Sequence, residues 1–401
     1  MIKTTPFHPR LAELNRAQLW THWAGYLSAP RYDLAVKHEY FGVRNAVGCF
    51  DASPLYKYAI TGRDSERFLA GLFARDIRTC RPGRAQYTVW CDSDGYVLED
   101  GVVFRHAADE FLLTAAEPNL SFLENQRNSL EVQIDDVSSD HAMLVVQGPR
   151  SRAVLSSLAP ELGDLGFFGH AQAKVGGSEV TVSRTGFTGD LGYEIRVPAD
   201  DALAVFDAVW AAGEPHRMRP FGDEALNVLR IEAGLPLIGV EFTSSRYSFN
   251  EHDRFTPDEL GLGWLVKGLD DASRPFSGRR AIIAERRAGT SRWATVGISV
   301  DARAYDELFY GAGLIPPKED SPAAWETMLY DAAGERAGYA TSYTYSPMLQ
   351  THIGIARVRP ELAAIGTELH VEQTVNHVYT TSPATVVKMP FFAPDRKTSM
   401  P

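Results

Sequence analysis

The chain has 401 residues, of which 44% are hydrophobic and 23% charged. That profile belongs to a folded globular protein of two or three domains and excludes a disordered tail, a fibre or a coiled-coil rod. With 40 Lys and Arg against 51 Asp and Glu the formal net charge is −11, and no run of five or six like charges builds a basic strip, so nucleic acid is not an expected partner.

In chain order, MIKTTPFHPRLAELNR lacks an apolar signal-peptide region and is interrupted by Pro6 and Pro9. No stretch approaches 18 apolar residues, so nothing is expected to span a membrane and a cytoplasmic location is expected. Residues 9 to about 45 mix Leu, Trp and Tyr with charges at helical spacing. YKYAI (56–60) reads as a strand. TGRDSERFLAGLFA follows as a helix, with Asp64 as N-cap and Phe68, Leu69, Leu72 and Phe73 on one face. AQYTVW (85–90), the Asp94-Gly95 turn and YVLEDGVVF (96–104) form a hairpin. FLLTAA (111–116) and AMLVVQGP (142–149) are further strands. EVTVSR (179–184) and YEIRV (193–197) flank a glycine-rich turn. ADDALAVFDAVWAAG (199–213) is a helix, capped by Asp200 and ended by Gly213, and EALNVLRIEAG (224–234) is another. After about residue 290 short alternating strands dominate, as in a small barrel or sandwich. The order favours an α+β fold, with a boundary placed near 285–295.

Most signatures of cofactor chemistry are missing. There is no GxGxxG after a strand and no GxxxxGK[ST]. Cys49, Cys80 and Cys91 form no CxxC pair, the eleven histidines are scattered, and no metal site is expected. Three segments are richer in polar and aromatic residues than plain core requires. In the hairpin, Glu99 and Asp100 sit within a run of Val, Leu and Phe. Strand alternation turns one of them toward the buried side, where a raised pKa suits general acid–base work. The plain alternative is a wet edge strand or a pair with Arg84 or Arg105. In the glycine-rich turn, Glu194 can accept two parallel hydrogen bonds from a ring N–H and an amino group, as pterins and guanines present; otherwise it marks a structural hairpin. On the helix 224–234, Arg230 and Glu232 are two apart and do not face each other. Arg230 could meet a ligand carboxylate and Glu232 could cap or pair elsewhere; the plain alternative is two solvated helix charges.

Together these segments resemble the tetrahydrofolate-dependent aminomethyltransferase family, the glycine cleavage T-protein and its relatives. The resemblance runs through VRNAVGCFDAS (43–53), RPGRAQYTVWCDSDGYVLEDGVVFR (81–105), LVVQGPRS (144–151), SRTGFTGDLGYEI (183–195), LRIEAGLPLIG (229–239), LGLGWLVK (260–267), FSGRRAI (276–282) and TSYTYSPMLQTHIGIARV (341–358). It implies a three-lobed fold around a central folate pocket. Residues 1–289 would hold two intertwined lobes, the second at roughly 54–142, and 290–401 a C-terminal β-barrel. By similarity Glu194 binds the pterin edge, Tyr87 and Tyr193 line the pocket, and Arg230 lies near the folate and its glutamate tail. Glu99, where the family carries an aspartate, and Asp100 are the catalytic carboxylates. Tyr247, Arg246 and Asn250 are expected donor contacts. The expected partners are tetrahydrofolate and a small one-carbon donor. The family's DVSHM reads Asp51-Ala52-Ser53-Pro54-Leu55, without its histidine, and HWAGYLSAPRY (22–32) replaces an N-terminal FxGWxMPxxY pattern. Those departures favour a demethylase-type relative, with a true aminomethyltransferase as the alternative. A folate-binding protein without transfer activity, and a subunit acting beside a separate flavin chain, are the remaining readings.

Overall fold

A computed structural model describes residues 2–318, 322–323 and 326–399. Three β systems organise it. A six-stranded sheet runs in the order His170–Val175, Ser178–Ser183, Gly192–Pro198, His141–Gln147, Gly48–Asp51, Arg219–Pro220. All its pairs are antiparallel except the last. A five-stranded antiparallel sheet follows the order Arg84–Cys91, Val97–Arg105, Glu110–Ala115, Tyr56–Thr61, Gln133–Asp136. The third system is a closed six-stranded barrel formed by Ala294–Val300, Thr351–Val358, Arg336–Ser346, Thr327–Tyr330, Glu368–Val375 and Val378–Val387. The α+β reading and the C-terminal barrel therefore stand.

Hydrophobic spacing accounts for the packing. Helix Ala202–Gly213 turns Val205, Phe206 and Val209 into the core of the six-stranded sheet, where helix Ser151–Leu158 adds Val154 and Leu155. Helix Ser65–Leu72 lays Phe68, Leu69 and Leu72 on the five-stranded sheet. Two expected caps differ. Asp64 makes no cap bond; its carboxylate instead accepts the Glu131 N–H at 2.9 Å. Asp200 lies in a 3-10 turn, Ala199–Asp201, that precedes the helix. Helix Ala302–Gly311, capped by Asp301, lies within the strand-rich C-terminal part and was hidden by that texture. The helical reading of residues 9–45 resolves into helices His8–Leu14 and Val36–Asn45 around a small hairpin, Thr21–Trp23 with Tyr26–Ser28.

One buried carboxylate ties these parts together. Glu232, at the end of helix Asp223–Glu232, has no exposure to solvent. It accepts hydrogen bonds from Tyr40 Oη, from Arg44 Nε at 3.0 Å and Nη2 at 2.6 Å, and from Ser346 Oγ of the barrel at 2.6 Å. Arg44 also donates to the Thr188 carbonyl at 2.9 Å and lies 3.6 Å from Asp190, which takes both nitrogens of a bidentate contact from Arg396 at 2.7 and 2.8 Å. For Glu232 the pairing alternative thus holds, and the solvated one does not. Glu232→Gln should lower unfolding free energy by about 3–5 kcal/mol, the usual cost of stranding one partner of a buried pair. Denaturant titration followed by fluorescence checks this; a loss below about 1 kcal/mol, the scale of a surface pair, would refute the central role.

Candidate functional site

Strand alternation sends Glu99 and Asp100 to opposite faces of Val97–Arg105. Glu99 has no solvent exposure. Its Oε1 accepts the backbone N–H groups of Ala116 at 2.7 Å and Glu117 at 2.8 Å, and its Oε2 accepts from the Asn119 side-chain amide. Arg246 donates to Asn119 Oδ1 at 2.7 Å and stands 3.8 Å from Glu99. Asn119 sits at the start of helix Leu120–Arg127, yet its side chain makes no cap bond there and serves Glu99 instead. Burial lifts the Glu99 carboxyl to about 8, outweighing the hydrogen bonds that favour its ionised form. Asp100 is only half-buried. It accepts the Tyr87 hydroxyl at 2.8 Å, and burial raises it to about 6. Arg84 and Arg105 are engaged elsewhere, by the Phe167 carbonyl and by Glu66.

Glu194 lies on strand Gly192–Pro198, opposite Ser183. One carboxylate oxygen accepts the Thr185 hydroxyl at 2.6 Å; the other has no hydrogen-bond partner among the described residues. The side chain borders a narrow cleft between the two sheets. Phe104, His106 and Leu112 form one wall, and Met143, Thr181, Ser183, Glu194 and Arg196 the other. Burial pushes the Glu194 carboxyl above the usual carboxylate range. A second cleft, bordered by Trp20, Tyr32 and Asp51, contains none of the predicted residues.

Several expected contacts are placed differently. Tyr193 alternates to the face opposite Glu194, is fully buried, and packs in the core of the six-stranded sheet. It does not line the cleft, because neighbours on a strand point to opposite faces. Arg230 is 1% exposed, and its donors are taken by Glu241 at 2.8 Å, Ser342 at 2.8 Å and Asn227 at 3.2 Å. It clamps its helix to the barrel. Asn250 is spent on its own turn, accepting the His252 N–H at 2.8 Å and donating to Asp253 at 2.8 Å. Tyr247 is half exposed, within cation–π range of Arg246. Of the three expected donor contacts, Arg246 alone joins the Glu99 cluster. Asn119 was missed by the sequence reading; an asparagine before a helix reads as a cap. The Asp51–Leu55 segment forms a turn in which Asp51 accepts from Thr5 at 2.6 Å and from the Ser53 N–H at 2.9 Å. Among the described residues no group of three His, Cys, Asp or Glu side chains is placed to hold a metal, and no helix is long and apolar enough to cross a membrane.

The GCVT N-terminal domain matches residues 8–269, and the glycine cleavage T-protein C-terminal barrel domain matches 312–393. An aminomethyltransferase of Geobacillus kaustophilus is 33% identical over 398 residues, covering 98% of this chain and 99% of that protein. A trimethylamine-oxide aldolase of Ruegeria pomeroyi is 32% identical over 409 residues, covering 99% of this chain and 48% of the relative. The solved glycine cleavage aminomethyltransferase T of Bartonella henselae superposes with a TM-score of 0.82 at 23% identity, covering 98% of this chain and 99% of that one, which establishes a shared fold. The chain belongs to the glycine cleavage T-protein family of aminomethyltransferases.

Proposed function

We propose that the protein is a tetrahydrofolate-dependent aminomethyltransferase that moves a one-carbon unit from a small amine-bearing donor to the folate. The observation that carries this is Glu194, which presents a carboxylate with one free oxygen to a cleft between the two sheets. A carboxylate there fits the amino and N–H donors of a pterin edge. Bound tetrahydrofolate supplies the nucleophilic nitrogen that accepts the carbon.

The chain's own groups divide the remaining work. Glu99, lifted to about 8, keeps its proton at neutral pH and can deliver it to the departing nitrogen. The backbone donors at 116 and 117, with Asn119, fix its direction. Asp100, at about 6, is ionised at neutral pH and orients Tyr87. Arg246 steadies Asn119 and brings positive charge to the mouth of the cluster.

The demethylase subtype expected from the sequence becomes the second reading, because relatives matched along their full length carry the aminomethyltransferase name. It keeps one support: Glu99 in place of the family's aspartate and the absent histidine after Ser53 change the donor side, and one relative is a trimethylamine-oxide aldolase. Turnover of lipoyl-bound aminomethyl groups against methylated amines decides between the two.

Glu194→Ala should weaken tetrahydrofolate binding by about 10–100-fold, the loss expected for a charge-assisted pair of hydrogen bonds. Calorimetry measures it, and unchanged affinity refutes the pterin role. Glu99→Gln should bind folate normally but lose about 10²–10⁴-fold in turnover; wild-type turnover refutes the proton-donor role. The same variant tests the pKa. An acid whose folded-state value rises from 4.5 to about 8 holds a proton in the native state that the unfolded chain has released. Its contribution to stability therefore falls as pH rises from 4.5 to 8. Glu99→Gln should flatten that slope in denaturation measured at pH 5 and pH 8, and parallel pH profiles contradict the shift.

A further inference from the structure

We propose that Arg196 is the donor that reads the oxo group of the bound pterin ring, completing with Glu194 a recognition row along one strand face. The inference rests on the folate reading above. The hydrogen-bonding edge of a 2-amino-4-oxo pyrimidine runs amino donor, ring N–H donor, oxo acceptor. A carboxylate satisfies the two donors, and the next group along must then itself be a donor. Arg196 is two residues from Glu194 on strand Gly192–Pro198, on the same face, at a spacing of about 6.6 Å set by strand rise. Both side chains border the same cleft.

The surroundings of Arg196 favour a ligand contact over a structural ion pair. Its Nη2 donates to Thr181 Oγ1 at 3.0 Å and stands 3.3 Å from His106 Nε2. Its Nε and Nη1 have no hydrogen-bond partner among the described residues, and no carboxylate lies within ion-pair distance there. Glu110 supplies only a more distant attraction. A guanidinium set in a cleft without a counter-charge is costly unless an acceptor meets it. The neighbouring imidazoles do not repel it. Burial lowers His106 to about 4 and pushes His170 below its usual range, so both are neutral at pH 7. Neutral His106 can turn an acceptor nitrogen toward Arg196 and hold the guanidinium in place.

The test is calorimetric binding of tetrahydrofolate, of its analogue with an amino group in place of the oxo group, and of guanosine. The proteins are the wild type, Arg196→Ala and Arg196→Lys, with folding verified by circular dichroism. The wild type should prefer the oxo ligand. Arg196→Ala should lose at least tenfold for that ligand and little for the amino analogue, so the preference collapses, and Arg196→Lys should restore part of it. Loss of the ring N–H that faces Glu194 is common to all three proteins and cancels in the ratio. Equal weakening of both folates, or no change, overturns the assignment to Arg196. Wild-type protein that binds neither folate overturns the folate reading beneath it. Guanosine bound as tightly as tetrahydrofolate by the wild type overturns the pterin assignment.

Discussion

A carboxylate with no access to water must find its donors inside the protein, and Glu232 draws them from distant parts of the chain. Tyr40 and Arg44 come from helix Val36–Asn45, and Ser346 comes from the barrel. Through Arg44 and Asp190 the glycine-rich turn that precedes Glu194 is held in the same network. Two residues earlier on the same helix, Arg230 repeats the device toward the barrel through Glu241 and Ser342. The relative placement of sheet, helix and barrel is thus set by directional bonds to charged atoms, which are more demanding of geometry than apolar contact.

Desolvation tunes the candidate site in both directions. The same burial that lifts Glu99 to about 8 lowers His106 to about 4. The acid therefore keeps its proton near neutrality and the base stays uncharged, without a metal or a neighbouring like charge as the leading cause. Two backbone N–H groups and the Asn119 side-chain amide aim the acid, so both of its oxygens are held in direction.

Much of this was legible in the sequence, for physical reasons. The hairpin declared itself by β-rich arms around Asp94-Gly95, and the apolar stripe of Ala202–Gly213 by its spacing. Period-two alternation was enough to predict that one of Glu99 and Asp100 would be buried, though not which one. Other features depend on contacts between residues far apart in the chain. For Arg230 and Glu232 the choice between solvated charges, a ligand contact and pairing elsewhere stayed open, because nothing local reveals the barrel packed over them. Asn119 was not singled out, because its bond to Glu99 joins residues twenty apart in the chain. Tyr193 was assigned to the pocket from the family resemblance, whereas strand alternation sets it on the face opposite Glu194. Helix Ala302–Gly311 was lost in a region dominated by strands.

The turn at Asp395–Lys397 carries a consequence for assembly. Arg396 completes the charge balance of Asp190, Arg184 holds the carbonyls of Arg396, Lys397 and Ser399, and the Phe392 N–H reaches the Glu232 carbonyl at 2.8 Å. Domains made first on the ribosome generally fold first. Here the six-stranded sheet emerges early, yet its buried Asp190 acquires its full complement of cations only when Arg396, 206 positions later, has been made. Charge balance at the glycine-rich turn therefore depends on a segment made long after the sheet, and a nascent chain that lacks Arg396 holds Asp190 in an electrostatically incomplete state.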